Sequence, residues 1–543
     1  MLGMMQDWPL LVSKLIDHAA VSYPTREIVT QSVEGPLHRT NWLEVRQRSK
    51  QIAQALVGLG IGQGDRVATL AWNTWRHIEC WYGISGMGAV AHTINPRLFQ
   101  DQIAYIANHA EDRVLFFDLT FLKLVEELAP RLSTIKHYVL MTDRAHMPAE
   151  SSLDLICYEE LIAGQDGNFA WAELDENAPA GLCYTSGTTG NPKGVLYSHR
   201  SNVLHTFAAC QIDALGMSSR TTVLPVVPMF HANAWGVPYA AAAVGAKVVM
   251  GGPNNDAETL HRLIVDEGVT LTAAVPTVWL AMLQHLESTG KKLGQLERVV
   301  IGGSAAPRSM IEAFERDYGV TVVHAWGMTE MSPLGSVGML CAGGAAEPPE
   351  KQLDLKCKQG RALFGVEMTI RDDDNRDLPR DGKAFGHLKV RGPWIVEQYF
   401  KGDGGEVLDD DGWFDTGDVA TIDARGYMQI TDRSKDVIKS GGEWISSIEL
   451  ENAAIGCAGV AEAAVIGLPH PKWDERPLLI LVKKPGANLS KAKVLSHLAG
   501  KIAKWWMPDD VVFVDSIPHT ATGKIQKTAL REQFKDYRLP TAA

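Results

Sequence analysis

Cysteine is scarce in this chain of 543 residues. There are seven, at positions 80, 157, 183, 210, 341, 357 and 457, odd in number and never in a C-x-x-C pair. Neither a disulfide framework nor a structural zinc site is expected, and most of these thiols read as small buried hydrophobes of a protein in a reducing compartment. Long apolar runs are missing too. Stretches such as Leu271–Leu283 are interrupted and shorter than the ~18 residues that a membrane span requires. The opening MLGMMQDWPLLVSKLIDHAA has acidic residues but neither a basic leader nor a long apolar core, so no secretory signal is expected and the protein is expected to be cytoplasmic. Positive charge is not in excess: 52 Lys+Arg face 64 Asp+Glu, a formal net charge of −12. Nucleic acid and anionic lipid are therefore not expected partners, although a local basic pocket for a phosphate-bearing ligand stays open. No repeat of fixed period and no low-complexity tract stands out.

What is present is the composition of a globular protein, 45% hydrophobic and 21% charged, too long for a single compact core. Trp42, Val45, Ile52, Leu56 and Leu59 fall on one helical face, with Asn41 as cap, Glu44 placed to complete a capping box and Gly60 as terminator. Asp65–Ala71 then reads as a strand. The pairing recurs as helix Phe121–Leu128 with strand His137–Met141, and as helix Leu260–Glu267 with strand Leu271–Ala274. Such alternation predicts an α/β protein with largely parallel sheets. From about residue 363 short strands (Val366–Arg371, Phe385–Val390, Ala420–Ile422, Tyr427–Ile430) sit between charged turns, and a helix–strand–helix–strand tail runs on to about Tyr537. The expected organisation is a large N-terminal domain, 1–432, with a β-rich subdomain at about 363–432, and a small α+β C-terminal domain, 433–543.

The strongest chemical signal is Tyr184-Thr185-Ser186-Gly187-Thr188-Thr189-Gly190-Asn191-Pro192-Lys193-Gly194. Its glycines let successive N–H groups converge, and its hydroxyls and one ammonium add donors, which suits a polyphosphate. No G-x-x-x-x-G-K-[ST] register can be drawn through it, so a P-loop NTPase is disfavoured. Four further segments stand in order behind it. His324-Ala325-Trp326-Gly327-Met328-Thr329-Glu330 offers an aromatic face for a purine and a carboxylate for magnesium. Asp415-Thr416-Gly417-Asp418 presents a carboxylate on a turn, able to accept both hydroxyls of a ribose. Asp432-Arg433-Ser434-Lys435-Asp436 puts a cation at the expected domain junction, and Pro518–Ile525 carries Lys524 on a glycine-containing loop. Read singly, each has a plainer alternative: core tryptophan, surface turn, solvated charges, exposed lysine. Their joint occurrence decides.

That ordered set resembles the adenylate-forming superfamily of acyl-CoA synthetases, peptide-synthetase adenylation domains and luciferases, over nearly the whole chain. The resemblance implies an enzyme in which a carboxylate attacks the α-phosphate of ATP and a thiol, that of coenzyme A, then displaces AMP. It implies Thr185 to Gly190 with Lys193 as phosphate loop, Mg²⁺ on Thr185 and Glu330, and Trp326 over the adenine where relatives more often use tyrosine. Asp418 and Arg433 would take the ribose, and Gly302-Gly303-Ser304-Ala305-Ala306-Pro307, with His324 to Thr329, would line the adenine and acyl side. Lys524 would contact carboxylate and phosphate oxygens during adenylation. The C-terminal domain would then swing about Asp432, bringing Lys435 and the turn Lys439-Ser440-Gly441-Gly442-Glu443 to the coenzyme A side.

The run Val227-Pro228-Met229-Phe230-His231-Ala232-Asn233-Ala234-Trp235 is similar to the fatty acyl-CoA synthetase branch, with His231 beside the reacting carboxyl and Trp235 gating the acyl tunnel. A pocket closed by Trp235 and narrowed by Trp326 and Met328, with Gly303, Gly327 and Pro333 on its wall, would suit a short apolar acid. The combined segments look most like 3-methylmercaptopropionate-CoA ligases; medium- and long-chain fatty acids are the alternative substrates. A peptide-synthetase module would be expected to continue into a carrier domain, whereas this sequence stops soon after Tyr537. A luciferase-type oxygenase would share only the adenylation step. A non-catalytic nucleotide-binding protein would be expected to have lost one of Lys193, Glu330, Asp418, Arg433 or Lys524, and all are present. The resemblance also implies a homodimer.

Overall fold

Runs such as KVVM, RVVI and TVVHAWG are apolar without alternation, the pattern of strands buried on both faces. In the computed structural model, which describes residues 3–185, 191–441, 443–519 and 525–542, they form the middle of a nine-stranded sheet. Its order is Arg361–Ala362, Leu334–Val337, Thr321–Gly327, Arg298–Ile301, Leu271–Ala274, Thr222–Pro225, Lys247–Met250, Glu27–Gln31 and Leu37–Asn41. From Thr321–Gly327 through to Glu27–Gln31 every pairing is parallel. A seven-stranded sheet runs Leu155–Cys157, His137–Leu140, Val114–Phe117, Arg66–Leu70, Val90–Thr93, Pro179–Tyr184 and Gly194–Ser198, parallel except at the last pair. Helix Trp75–Gly86 is buried along its whole length and shares one apolar core with residues of both sheets, Val67, Ala91, Val248 and Met250 among them. Among the described residues no helix is long and apolar enough to cross a membrane.

Helix Trp42–Gly58 starts as expected, the Asn41 side chain accepting the N–H of Glu44. The capping box is not reciprocal, however. The Glu44 carboxylate takes the hydroxyl of Thr40, 2.7 Å away, while Asn41 is the strand partner of Glu27.

The β-rich part is a four-stranded antiparallel sheet in sequence order: Glu367–Arg371, Phe385–Arg391, Phe414–Ile422 and Met428–Arg433. Here one expectation is corrected. Asp415 to Asp418 do not form a turn but lie inside strand Phe414–Ile422. Lys389 faces Asp415 while His387 faces Val419, so the longer strand bulges between them, with Gly417 at φ 69°. A bulge of this kind bends the strand and re-aims a side chain, here that of Asp418.

Beyond Arg433 a separate five-stranded sheet is built from Glu443–Ile445, Ile438–Ser440, Asp474–Lys483 and Val460–His470, with Asp510–Val514 parallel to Asp474–Lys483. Helices Ser447–Ile455, Lys491–Leu498 and Lys527–Gln533 cover it, and it has its own apolar clusters.

Four histidines, His77, His199, His205 and His324, are sealed in the large N-terminal part, and burial lowers each of them to about 4. An unfolded histidine titrates near ~6.5. Between the two values the unfolded chain binds the extra protons, so this stability is complete above about pH 6.5 and drains away toward pH ~4. The urea midpoint is therefore expected to fall steeply over that interval. His205→Gln, which keeps an acceptor for the Leu334 N–H now 3.1 Å from the ring, is expected to flatten the slope by about one proton. Proton uptake on unfolding, measured by calorimetry in two buffers, checks this.

Candidate active site

Parallel strands put all their carboxyl ends at one edge, and ligands of such sheets bind there. Strand Pro179–Tyr184 ends in the phosphate-loop segment, which returns as the antiparallel edge strand Gly194–Ser198. The base of this hairpin is closed by two bonds: Thr185 N–H donates to the Lys193 carbonyl (2.9 Å), and Lys193 N–H donates to Thr185 Oγ1 (3.1 Å). Ser186, Gly187, Thr188, Thr189 and Gly190 lie outside the described residues, as do Gly442, Lys524 and the side chain of Glu443. Lys193 Nζ stands 4.8 Å from the ring centroid of Tyr399.

Strand Arg298–Ile301 ends in Gly302 to Pro307. Gly302 is held between Trp235 and the Ala325 carbonyl, and a Cβ there would come within 3.0 Å of the indole edge. Gly303, at φ 82°, and Ser304 are exposed; Ala305 and Pro307 are half-buried and Ala306 is buried. His324 lies beneath this loop. Its Nε2 accepts the Ala306 N–H at 3.2 Å, and the lowered pKa keeps the ring neutral for that task.

Strand Thr321–Gly327 delivers the next group. Trp326 is buried and its indole N–H donates to Asp418 Oδ2 at 3.0 Å, while Arg433 Nε meets Asp418 Oδ1 at 3.0 Å. The tryptophan expected against adenine thus also fixes the carboxylate expected on the ribose. Ala325 is buried in the same strand, Met328 is half-buried, and Thr329 takes the Tyr197 hydroxyl on its carbonyl at 2.6 Å. Glu330, 7% exposed, receives the Tyr399 hydroxyl on Oε1 at 2.7 Å. Pro333 is buried, and its carbonyl accepts the Met328 N–H at 3.0 Å.

His231 shares a narrow crevice with Thr185, Tyr184, Thr93, Asn95 and Phe230, so two distant motifs meet there. Directly after it Ala232, Asn233, Ala234 and Trp235 all have positive φ (42°, 51°, 47° and 56°). Each such residue costs ~1–2 kcal/mol, and only surrounding packing can hold the turn. It aims the half-buried Trp235 at Gly302.

At the junction, Asp432 is buried and accepts the N–H of Ser447 (2.8 Å) at the start of helix Ser447–Ile455. Burial raises its carboxyl above the usual range against the pull of the Lys527 ammonium. Lys435 and Lys439 are exposed. Ser440 ends strand Ile438–Ser440 and is buried, and Gly441 (φ 61°) packs on Trp473. Trp444 on the returning strand rests on Phe385 (5.4 Å) and His387 (6.3 Å) of the four-stranded sheet.

Residues 16–400 match the AMP-binding enzyme family, and residues 449–524 match the AMP-binding enzyme C-terminal domain. The chain belongs to this family. A 3-methylmercaptopropionyl-CoA ligase of Ruegeria lacuscaerulensis is 54% identical over 536 residues, covering 99% of each chain. A medium-chain-fatty-acid–CoA ligase of Ectopseudomonas oleovorans is 49% identical over 543 residues, covering 100% of this chain and 99% of its own. An anthranilate CoA ligase solved in complex with anthranoyl-AMP superposes with a TM-score of 0.86 at 26% identity, over 98% of this chain and 99% of that one.

Within this AMP-binding enzyme the sequence reading did not name Tyr399, Tyr197 or His205 as parts of the site. Nothing local marks them, because each contacts the site through bonds that span more than sixty residues. Among the described residues no three His, Cys, Asp or Glu side chains are grouped to hold a metal ion. The residues expected to hold a cation, the buried Glu330 carboxylate and the Thr185 hydroxyl, offer oxygen ligands alone. That set fits a hard cation which takes its remaining ligands from phosphates and water.

Gly327 is required by close approach: a Cβ there would lie 2.0 Å from the Pro333 carbonyl oxygen. Backbone cannot yield as a side chain does, so Gly327→Ala is expected to lose about 3 kcal/mol of stability and to displace Met328 to Glu330. Gly343→Ala, with only the Arg425 side chain at 4.0 Å, is expected to be neutral. Paired thermal melts and nucleotide-binding isotherms check the contrast.

Proposed function

We propose that the protein is an AMP-forming acid–thiol ligase. A carboxylate oxygen attacks the α-phosphorus of ATP and pyrophosphate leaves; the thiol of coenzyme A then attacks the acyl carbon and AMP leaves. The observation that carries this reading is that distant motifs meet in pairs: Thr185 with His231 in one crevice, Lys193 and Glu330 on one tyrosine, and Asp418 with Trp326 and Arg433. The full-length likeness to named CoA ligases supports it.

Attack on phosphorus gathers negative charge, so fixed cations and N–H donors supply the catalysis. In this proposal Lys193 and the Thr185–Gly190 loop hold the polyphosphate. Asp418 accepts the ribose hydroxyls, with Arg433 beside it, and Trp326 covers the adenine against Gly302–Pro307. Glu330 and Thr185 would hold Mg²⁺, which supplies neutralising charge beside the phosphates when bound. His231 orients the acid, and Lys524 completes the adenylation site before the C-terminal domain turns about Asp432 to present Lys439 to Glu443 to coenzyme A. We further propose a cytoplasmic homodimer.

The acid is proposed to be short and apolar, such as 3-methylmercaptopropionate; the close packing of Trp235 on Gly302 and the 54% identical 3-methylmercaptopropionyl-CoA ligase support this. The medium-chain relative favours a second reading, a fatty acid substrate. Telling such acids apart takes only ~1–3 kcal/mol of pocket energy.

AMP release measured with ATP, Mg²⁺ and coenzyme A over acids from acetate to palmitate is expected to peak at 3-methylmercaptopropionate and similarly short acids. A maximum beyond octanoate would replace the short-acid assignment. Lys524→Ala is expected to abolish acyl-adenylate formation while sparing thioester formation from a supplied adenylate; equal loss of both half-reactions would refute that division of labour.

A further inference from the structure

The segment following strand Phe385–Arg391 is stitched to the Glu330 region at several points. Trp394 Nε1 donates to the Leu334 carbonyl (3.1 Å), Ser332 Oγ donates to the Trp394 carbonyl (3.0 Å), and Val396 N–H donates to the Glu330 carbonyl (2.8 Å). The last stitch is made by a side chain: the Tyr399 hydroxyl donates to Glu330 Oε1 at 2.7 Å. Both residues are less than a tenth exposed, so the bond is shielded from water. Burial first, and the nearby Glu330 charge second, push the phenol upward, which keeps its proton in place as the donor.

The same ring has a second occupant. Lys193 Nζ lies 4.8 Å from its centroid. Gly404, at φ 81°, also borders the ammonium: a Cβ there would stand 2.5 Å from Nζ. The turn from Tyr399 to Gly404 is therefore a seat for the phosphate-loop lysine, made of an aromatic ring and a bare glycine. The packing alternative, that Tyr399 merely fills the core, accounts for the burial but not for a polar tip on one charged group and a face on another.

We propose that Tyr399 is a positioning residue that couples the two charges of the triphosphate site: its hydroxyl fixes the orientation of Glu330 for a divalent cation, and its ring holds Lys193 at the phosphates. This rests on the ligase reading above. The two jobs use different parts of one side chain, so they can be separated. Tyr399→Phe removes only the hydroxyl; Tyr399→Leu removes the ring as well.

The test measures binding and not turnover, on the full-length protein with α,β-methylene-ATP, which cannot release pyrophosphate and so cannot transfer its adenylyl group. Mn²⁺ binding in the presence of this analogue is followed by electron paramagnetic resonance, and binding of the analogue alone, with chelator present, by calorimetry. For Tyr399→Phe the Mn²⁺ affinity is expected to fall about tenfold or more, as when other carboxylate-orienting partners are removed, while metal-free binding stays within about twofold. For Tyr399→Leu both are expected to fall, the metal-free affinity by about three- to tenfold. The proposal is overturned if Tyr399→Phe binds Mn²⁺ as tightly as the native protein, or if it loses metal-free binding as fully as Tyr399→Leu. The phenylalanine variant keeps the packing and decides the matter even if the leucine variant does not fold. Absence of Mn²⁺–analogue binding by the native protein would instead defeat the ligase reading itself, and this inference with it.

Discussion

Two carboxylates buried at the same edge of the protein, Glu330 and Asp418, dictate much of what surrounds them. A carboxylate removed from water is costly unless donors replace its hydration. Glu330 takes the Tyr399 hydroxyl and Asp418 takes the Trp326 indole and the Arg433 guanidinium. The Tyr399–Glu330 and Trp326–Asp418 bonds each join groups from different sheets or from the loops that follow them, whereas Arg433 pairs with Asp418 across neighbouring strands of one sheet. Glu330 and Trp326 belong to the nine-stranded sheet and its loops, whereas Tyr399, Asp418 and Arg433 belong to the four-stranded sheet and the chain around it. Satisfying the charges therefore locks the β-rich part against the large α/β part. The nucleotide site proposed above lies along that seam.

Precision along the seam is obtained at some energetic expense. Four consecutive left-handed residues after His231 would not persist in isolation. They are retained because Ala232, Asn233 and Ala234 are enclosed, with the side-chain Oδ1 of Asn233 accepting from the Cys183 thiol at 3.2 Å. Strain held by packing is common where a side chain must be aimed, and here the aimed group is Trp235. Gly327 and Gly302 serve the same end by absence, since each gives up a side chain to let another group come close.

The small C-terminal part is joined differently. Asp432 reaches the start of helix Ser447–Ile455, and Trp444 lies on the four-stranded sheet by aromatic contact. Its own ion pairs, Lys527 with Glu451 at 2.9 Å and Arg531 with Asp436 at 2.6 Å, keep it together as a unit. Having its own apolar clusters, it meets one requirement of the rigid-body switch proposed above.

Much of this was readable in the amino acids. Apolar runs without alternation give parallel strands, and strand Leu271–Ala274 falls on the residues its pattern predicts. The order of the glycine-rich, WGMTE, DTGD, DRSKD and TGKI segments points to adenylate chemistry because each residue type has a definite use near a triphosphate. What the sequence left open is relational. DTGD reads as a turn, and only the pairing of Phe385–Arg391 with Phe414–Ile422 makes it a bulged strand. No glycine announces the left-handed turn at Ala232–Trp235, and nothing near Tyr399 in the chain names Glu330 or Lys193 as its partners. Local preferences act between neighbours in the chain and so identify the elements and the chemistry they carry. Which donor meets which buried charge depends on how the sheets pack, and that was decided only when the whole chain folded.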